Sequence, residues 1–429
     1  MLLAVLIVFI VGLVSSIPLA VTIGLAAIVP SLLNPGFAGS VQLVIRSTLT
    51  SVDNTAILAV PLFMLSGAIM AKGGISKKLF DVFAFFIGDR TAGIPIAVIC
   101  TCLFYGAISG SGIATAAAVG GMTIPLMIGL GYDKVFAAAL VATAGGLGVI
   151  IPPSIPYVFY GLFTGTSVGA MFTAGIIPGI LIGLCLMGYA YIYCKRHGED
   201  KEKIRANYMA LRDKGLWVVF RESFWALLSP VIILGGIYSG IVTPTEAANI
   251  SVIYALIVCV FIYKTVQLKN IPVFFIETVR SYAPLLILMG LAGAFGRVLS
   301  LAQAPALLGE FFIGAFTNKI SFLLVLNIIL LFLGMVMDVG PAVMILAPIL
   351  LPTAIALGIN PVHFGIVMVM NLAIGFVTPP FGVNLFVTAP LIKTPVMQVG
   401  VKAFPFVVAF IIALLLVTIF PAISLVLLG

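Results

Sequence analysis

Gly148-Val-Ile-Ile-Pro-Pro-Ser154 and, further along, Gly375-Phe-Val-Thr-Pro-Pro-Phe381 each set a pair of prolines inside a long apolar run. Tandem prolines remove two backbone donors and push the preceding residue out of the α region, so no helix passes through uninterrupted. Each segment therefore predicts a helix (about 134 to 148, and 361 to 375), a break, and a second half-helix ending near 164 and 390. The two segments coincide at a shift of 227 residues, which also lays Pro125, Leu130, Gly131, Val135 and Phe159 on Pro352, Leu357, Gly358, Val362 and Phe386. Composition alone supplies some identities in an apolar chain, but paired prolines with a glycine four residues ahead imply duplication.

Upstream of each break lies a second interruption. Gly106-Ala-Ile-Ser-Gly-Ser-Gly112 and Met335-Val-Met-Asp-Val-Gly-Pro341 occupy corresponding positions and read as tips of re-entrant hairpins. Farther back, Pro61-Leu-Phe-Met-Leu-Ser-Gly67 is similar to Pro284-Leu-Leu-Ile-Leu-Met-Gly290 at a shift of 223. The chain is thus expected to hold one repeat over 54–194, with hairpin 1 at about 106–128 and a broken helix at about 134–164. A second repeat over 277–392 has hairpin 2 at about 335–356 and a broken helix at about 361–390. The remaining helices are read as scaffold.

Residues 1–429 form a single transmembrane domain on composition: 62% are hydrophobic, 8% are charged, and mean hydropathy is +1.31. No water-soluble fold presents such a surface. At roughly 20 apolar residues per span there is room for about ten to thirteen spans or re-entrant segments. The apolar runs are long and do not alternate, which makes the fold class an all-α polytopic membrane protein rather than a barrel. The run from Met1 to Val29 has no basic start or small-residue cleavage site and is expected to be a retained helix of spanning length.

The net charge of +8 is no nucleic-acid signal, since eight of the 21 Lys and Arg fall between Lys195 and Arg221. That stretch also carries Glu199, Asp200, Glu202, Asp213 and Glu222, so 195–223 reads as a solvated cytoplasmic linker that orients the chain by the positive-inside rule. Cys100, Cys102, Cys185, Cys194 and Cys259 sit in or beside apolar helices, and His197 in a polar loop, with Cys194 alone near it, and His363 near a helix start lack a set of further Cys or His ligands, so no transition-metal site is expected. Neither a His-Glu-x-x-His zinc motif nor a paired catalytic Asp is present, which speaks against a membrane enzyme. Matched broken helices suit alternating access better than a channel filter.

In hydrocarbon an unpaired backbone group costs several kcal/mol, so a broken helix persists where protein, water or a ligand satisfies it. Freed carbonyls suit Na⁺, and the N-terminal ends of half-helices suit a carboxylate. Candidate cation residues are Ser109, Gly110, Ser111, Gly145, Gly148 and Pro152 at the first site, and Met337, Asp338, Gly340, Gly375, Thr378 and Pro379 at the second. Asp338 is the acid among the tips, and its counterpart is the neutral Ser111; it neutralises a cation or caps a half-helix. Ser111, Ser154 and Thr378 are the hydroxyls placed to contact cation or substrate, against the common alternative of bonding their own i−4 carbonyl. Thr243-Pro-Thr-Glu-Ala-Ala248 reads as a capped helix start, and Arg46, Asp53 and Arg297 as snorkelling residues.

The stretches Ala107-Ile-Ser-Gly-Ser-Gly112, Gly131-Tyr-Asp133, Ile151-Pro-Pro-Ser-Ile-Pro156 and Ala174-Gly-Ile-Ile-Pro-Gly179 together resemble the large membrane subunit of TRAP transporters. So do Pro61-Leu-Phe63, Thr243-Pro-Thr-Glu-Ala-Ala248 and Thr378-Pro-Pro-Phe-Gly-Val-Asn384, the last adding Asn384 as a substrate-site candidate. Gly112 departs from the family pattern, which often has a further small hydroxyl residue there. The resemblance implies two inverted repeats, an elevator-type mechanism, a Na⁺ gradient as driving force and residence in the bacterial inner membrane. It implies two partners as well: a separate small four-helix membrane subunit and a periplasmic substrate-binding protein. It implies import of an organic acid, with sialic acid favoured and C4-dicarboxylates next. A single-component Na⁺/dicarboxylate or citrate carrier that uses no binding protein is the alternative.

Overall fold

A computed structural model describes residues 2–34, 37, 39–316 and 318–429, and every regular element among them is helical. Among the described residues eight helical segments are long and apolar enough to cross a membrane, from Thr55–Lys72 to Val396–Ile419, alongside eight shorter apolar helices of 10–17 residues. The chain is a multi-pass membrane protein.

It opens with α1 (Leu2–Val14) and α2 (Leu19–Leu33), which pack on each other. The single spanning helix expected over Met1–Val29 is therefore corrected to two short ones, Met1 itself lying outside the described residues. Pro18 supplies no donor to a continuing helix, and Ser16 adopts φ 57°, which turns the chain. Next come α3 (Val41–Val52), α4 (Ala59–Lys72) and α5 (Ile75–Ile87).

The first interrupted region follows as α6 (Gly93–Ser109), α7 (Gly112–Gly129), α8 (Lys134–Gly145), α9 (Ile155–Thr164) and α10 (Val168–His197). The linker holds α11 (Lys201–Arg212), and α12 (Leu216–Tyr238) and α13 (Pro244–Leu256) lead to α14 (Ile271–Leu301) and α15 (Ala304–Ala315). Then the order repeats: α16 (Lys319–Gly334), α17 (Val339–Ala356), α18 (Pro361–Gly375), α19 (Val383–Thr388) and α20 (Val396–Ile419), closed by α21 (Ala422–Leu425).

The first hairpin turns on two residues, Gly110 and Ser111, and the second on four, Met335 to Asp338. The first arms begin well before the expected hairpin limits, at Gly93 and Lys319. A 3-10 turn, Gly146–Val149, finishes the first broken helix before its proline pair. Pro152–Pro153 and Pro379–Pro380 are joined by cis peptide bonds.

Two helices lie innermost. All residues of α8 from Phe136 to Gly145 are buried, and so are all of α18 from His363 to Gly375. The first is rich in Ala, which allows helices to close on every side. Helix contacts come in matched sets: α7 on α19 and α17 on α9, α8 on α20 and α18 on α10. α20 begins where α10 ends, with Lys402 Nζ 4.8 Å from the ring centre of Tyr193. These two long helices are antiparallel neighbours.

The linker is not merely solvated. α11 is amphipathic, with Ile204 and Tyr208 buried one turn apart against α5, and Asp200 caps it by accepting from Lys203 N at 3.2 Å. Its polar face carries the charges that dominate the composition of this stretch. Thr243 caps α13 in a reciprocal box: Glu246 N donates to Thr243 Oγ1 at 3.3 Å and Thr243 N to Glu246 Oε2 at 2.7 Å.

Candidate transport site

The first tip is closed by hydroxyls. Thr115 Oγ1 donates to the Ser111 carbonyl at 2.8 Å, so Ser109 is the donor in the 3.0 Å contact between Ser109 Oγ and Thr115 Oγ1. Ser111 is the N-cap of α7, accepting from Ala114 N at 3.4 Å. Gly110 lies at φ 62°, a region that suits glycine, and its carbonyl accepts from Ile155 N at 3.3 Å. The tip is thus stitched to the start of α9, just past the prolines. Gly148 packs so closely beneath it that a Cβ there would lie 2.6 Å from the Ser111 carbonyl oxygen.

The second tip is capped by a charge. Asp338 precedes α17, and its Oδ1 accepts from Val339 N at 2.8 Å. The side chain is half-buried, and among the described residues no Lys, Arg or His forms an ion pair with it. A carboxylate in that position lacks the countercharge that normally offsets its desolvation. Met337 is 8% exposed beside it, and Gly340 lies against Phe159 of α9.

Both tips reach one cavity of about 430 Å³. Gly110 and Ser111 line it from the first hairpin, Asp338 and Gly340 from the second, and Val149 and Phe376 from the two broken helices. Gly112, the first residue of α7, packs on Phe376, where a Cβ would stand 2.9 Å from the ring. Each hairpin therefore touches the broken helix of the other half.

Other candidates lie outside the cavity wall. Ser154 is fully buried: it donates to the Val149 carbonyl at 2.5 Å and caps α9 by accepting from Tyr157 N at 3.4 Å. Thr378 donates to the Ile374 carbonyl at 2.8 Å, the i−4 bond. Gly375 packs backbone to backbone on Gly334, and Gly400 packs against the ring of Pro379. Pro152 is buried in the first break. Asn384 is fully buried, with Nδ2 donating to the Ala142 carbonyl at 2.9 Å, while its Oδ1 has no partner among the described residues. A Cβ on Gly145 would lie 3.1 Å from that same Nδ2. Asn384 thus joins the second half's broken helix to the first half's.

Sequence reasoning overlooked several residues here. Thr115 follows Ser111 by one helical turn, and that spacing was its available signal. Phe159 and Phe376 read as ordinary apolar positions. Ser281 comes to the cavity from α14, with no local mark in the sequence.

The model of the tripartite ATP-independent periplasmic transporter family, DctM component, matches residues 6–423. The chain is 41% identical over 413 residues to the isethionate TRAP transporter permease protein DctMQ of Oleidesulfovibrio alaskensis; the match covers 96% of this chain and 64% of that protein. It is 40% identical over 374 residues to the C4-dicarboxylate TRAP transporter large permease protein DctM of Pseudomonas aeruginosa, covering 87% of this chain and 86% of the relative. It is 36% identical over 385 residues to the sialic acid TRAP transporter large permease protein SiaM of Vibrio cholerae, covering 89% and 88%. In fold it is similar to the YdaH transporter of Alcanivorax borkumensis, with a TM-score of 0.64 at 15% identity, covering 90% of this chain and 89% of that one. A family match running over nearly the whole chain, together with relatives that are permeases, places it: the chain belongs to the tripartite ATP-independent periplasmic transporters, as a DctM-like large subunit.

Proposed function

We propose that this chain imports a small organic anion across the bacterial inner membrane, driven by Na⁺, as the large membrane subunit of a TRAP system. The observation that carries this reading is the half-buried Asp338 carboxylate, unpaired among the described residues, in the wall of a cavity that both hairpin tips share. A cation beside Asp338 would offset its charge, and carbonyls near the breaks would complete the coordination. Cation residues are proposed as Ser109, Gly110, Ser111, Gly145, Gly148 and Pro152 on one side, and Met337, Asp338, Gly340, Gly375, Thr378 and Pro379 on the other. The Asn384 Oδ1, buried and without a partner among the described residues, fits a cation better than a substrate. Ser111 faces the cavity and is the hydroxyl best placed for the substrate; Ser154 and Thr378 are already bonded to carbonyls.

An elevator is inferred, in which the two hairpins and broken helices move together against the scaffold, as inverted repeats. The matched contacts of α7 with α19 and α17 with α9, and the antiparallel pair α10 and α20, support it. The partners are proposed to be a separate small membrane subunit and a periplasmic binding protein. For the substrate, the relatives at 41% and 40% identity are named for isethionate and C4-dicarboxylates, ahead of sialic acid at 36%. We therefore place a small dicarboxylate or sulfonate before sialic acid.

The test is uptake into proteoliposomes holding this chain, its small subunit and the binding protein. Radiolabelled succinate, isethionate and sialic acid are each given with an inward Na⁺ or K⁺ gradient. Uptake that needs both Na⁺ and the binding protein supports the proposal. Uptake with Na⁺ alone favours the single-component carrier, and uptake under K⁺ removes the coupling.

A further inference from the structure

At the face of the linker, α11 lies beside the turn that joins α5 to α6 and encloses a hollow of about 440 Å³. Four cations line it, Arg90, Lys201, Arg205 and Arg212, against two carboxylates, Asp89 and Glu199. Glu199 is already engaged: it accepts from Ala92 N at 3.0 and 3.1 Å and from the Tyr132 hydroxyl at 2.6 Å. Among the described residues none of the four cations forms an ion pair. The guanidinium of Arg212 is held in place over two rings, 5.8 Å from the centre of Phe85 and 5.5 Å from that of Tyr208.

The hollow sits at a membrane surface. α10 ends and α6 begins beside it, and α12, packed on the same α5, starts with Leu216, 50% exposed, and Trp217, 74% exposed. An exposed tryptophan at the end of a spanning helix marks the headgroup level. Guanidinium groups match phosphate oxygens in a bidentate fork, and basic hollows at this level recognise anionic headgroups.

We propose that this hollow binds the phosphodiester headgroup of an anionic phospholipid, with Arg90, Arg205 and Arg212 as its phosphate contacts. Arg90 stands three residues before α6, so a bound lipid anchors the foot of the first hairpin arm to the linker helix. The site depends on the chain's being a membrane protein and is independent of Na⁺ coupling.

The experiment is native mass spectrometry of the purified full chain, titrated with phosphatidylglycerol or phosphatidylcholine. The wild type is expected to retain phosphatidylglycerol in preference to phosphatidylcholine. The exposed pair Arg90→Gln/Arg205→Gln should lower phosphatidylglycerol affinity roughly thirtyfold, the scale of two basic residues at a membrane surface. The equally charge-changing pair Lys264→Gln/Lys269→Gln, away from the hollow, should leave it unchanged. Equal losses in both pairs would mean diffuse surface attraction and overturn the site. Displacement of the lipid by an equal concentration of inorganic phosphate would overturn the lipid as its occupant. No preference between the two lipids would overturn it as well.

Discussion

Ser111 and Asp338 stand at equivalent positions of the two halves, 227 residues apart, each capping the second arm of its hairpin and each lining the same cavity. The pair is chemically unequal. A neutral hydroxyl on one side and a carboxylate on the other make the cavity asymmetric in charge although the backbone plan repeats. Asp338→Asn preserves shape and the cap acceptor while removing the charge. It is expected to raise the Na⁺ concentration for half-maximal uptake roughly tenfold, and Na⁺ titration of proteoliposome uptake measures it. An unchanged Na⁺ response leaves Asp338 as a helix cap alone.

Gly375 sits against the backbone of Gly334, and a Cβ would run into the Gly334 carbonyl. Backbone cannot rotate away as a side-chain end can, so Gly375→Ala should cost about 1–3 kcal/mol. Gly121 on α7 has nothing within 4 Å of its Cβ position and is exposed. There Gly→Ala should be neutral or stabilise by up to about 1 kcal/mol through helix propensity. Thermal unfolding in detergent separates the two; equal melting temperatures would mean that the glycine contact yields.

Proline chemistry is local, which is why the helix breaks were legible: α18 ends at Gly375, four residues before Pro379, without reference to anything distant in the chain. The same rule applied at Pro18 would have divided the N-terminal run, but its strong hydropathy masked the turn. What the sequence hid is tertiary. Nothing near Phe376 marks it as the surface on which Gly112 rests, and nothing near Asn384 points to the Ala142 carbonyl, 242 residues away. Charge count likewise made 195–223 look solvated, because Ile204 and Tyr208, the two residues that dock α11, are a small minority in a charged stretch.

Asn384→Ala removes the donor to the Ala142 carbonyl and the partnerless Oδ1 in one step. Loss of the bond should cost about 1–2 kcal/mol without added salt. If Oδ1 meets Na⁺, the variant also loses much of the stabilisation that Na⁺ gives the wild type, because a ligand stabilises the state that binds it. Melting temperatures in NaCl and in KCl resolve the two effects. The same Na⁺-dependent gain in both proteins would restrict Asn384 to packing.

Tyr132, in the loop between α7 and α8, donates to Glu199 Oε1 at 2.6 Å and ties that loop to the linker. Burial and then the Glu199 hydrogen bond push its phenol well above the ordinary 10.0. The folded state therefore favours the protonated phenol, so its contribution is fully present below pH 10.0 and fades as pH climbs towards the folded-state value. Tyr132→Phe cannot titrate and cannot donate. At neutral pH it should be less stable by about 1 kcal/mol, since Glu199 is only half-buried. From pH 9 to 11 the wild type should lose melting temperature more steeply than the variant, so that the gap between them narrows. A gap that stays constant with pH would show that the phenol does not carry the tie between loop and linker.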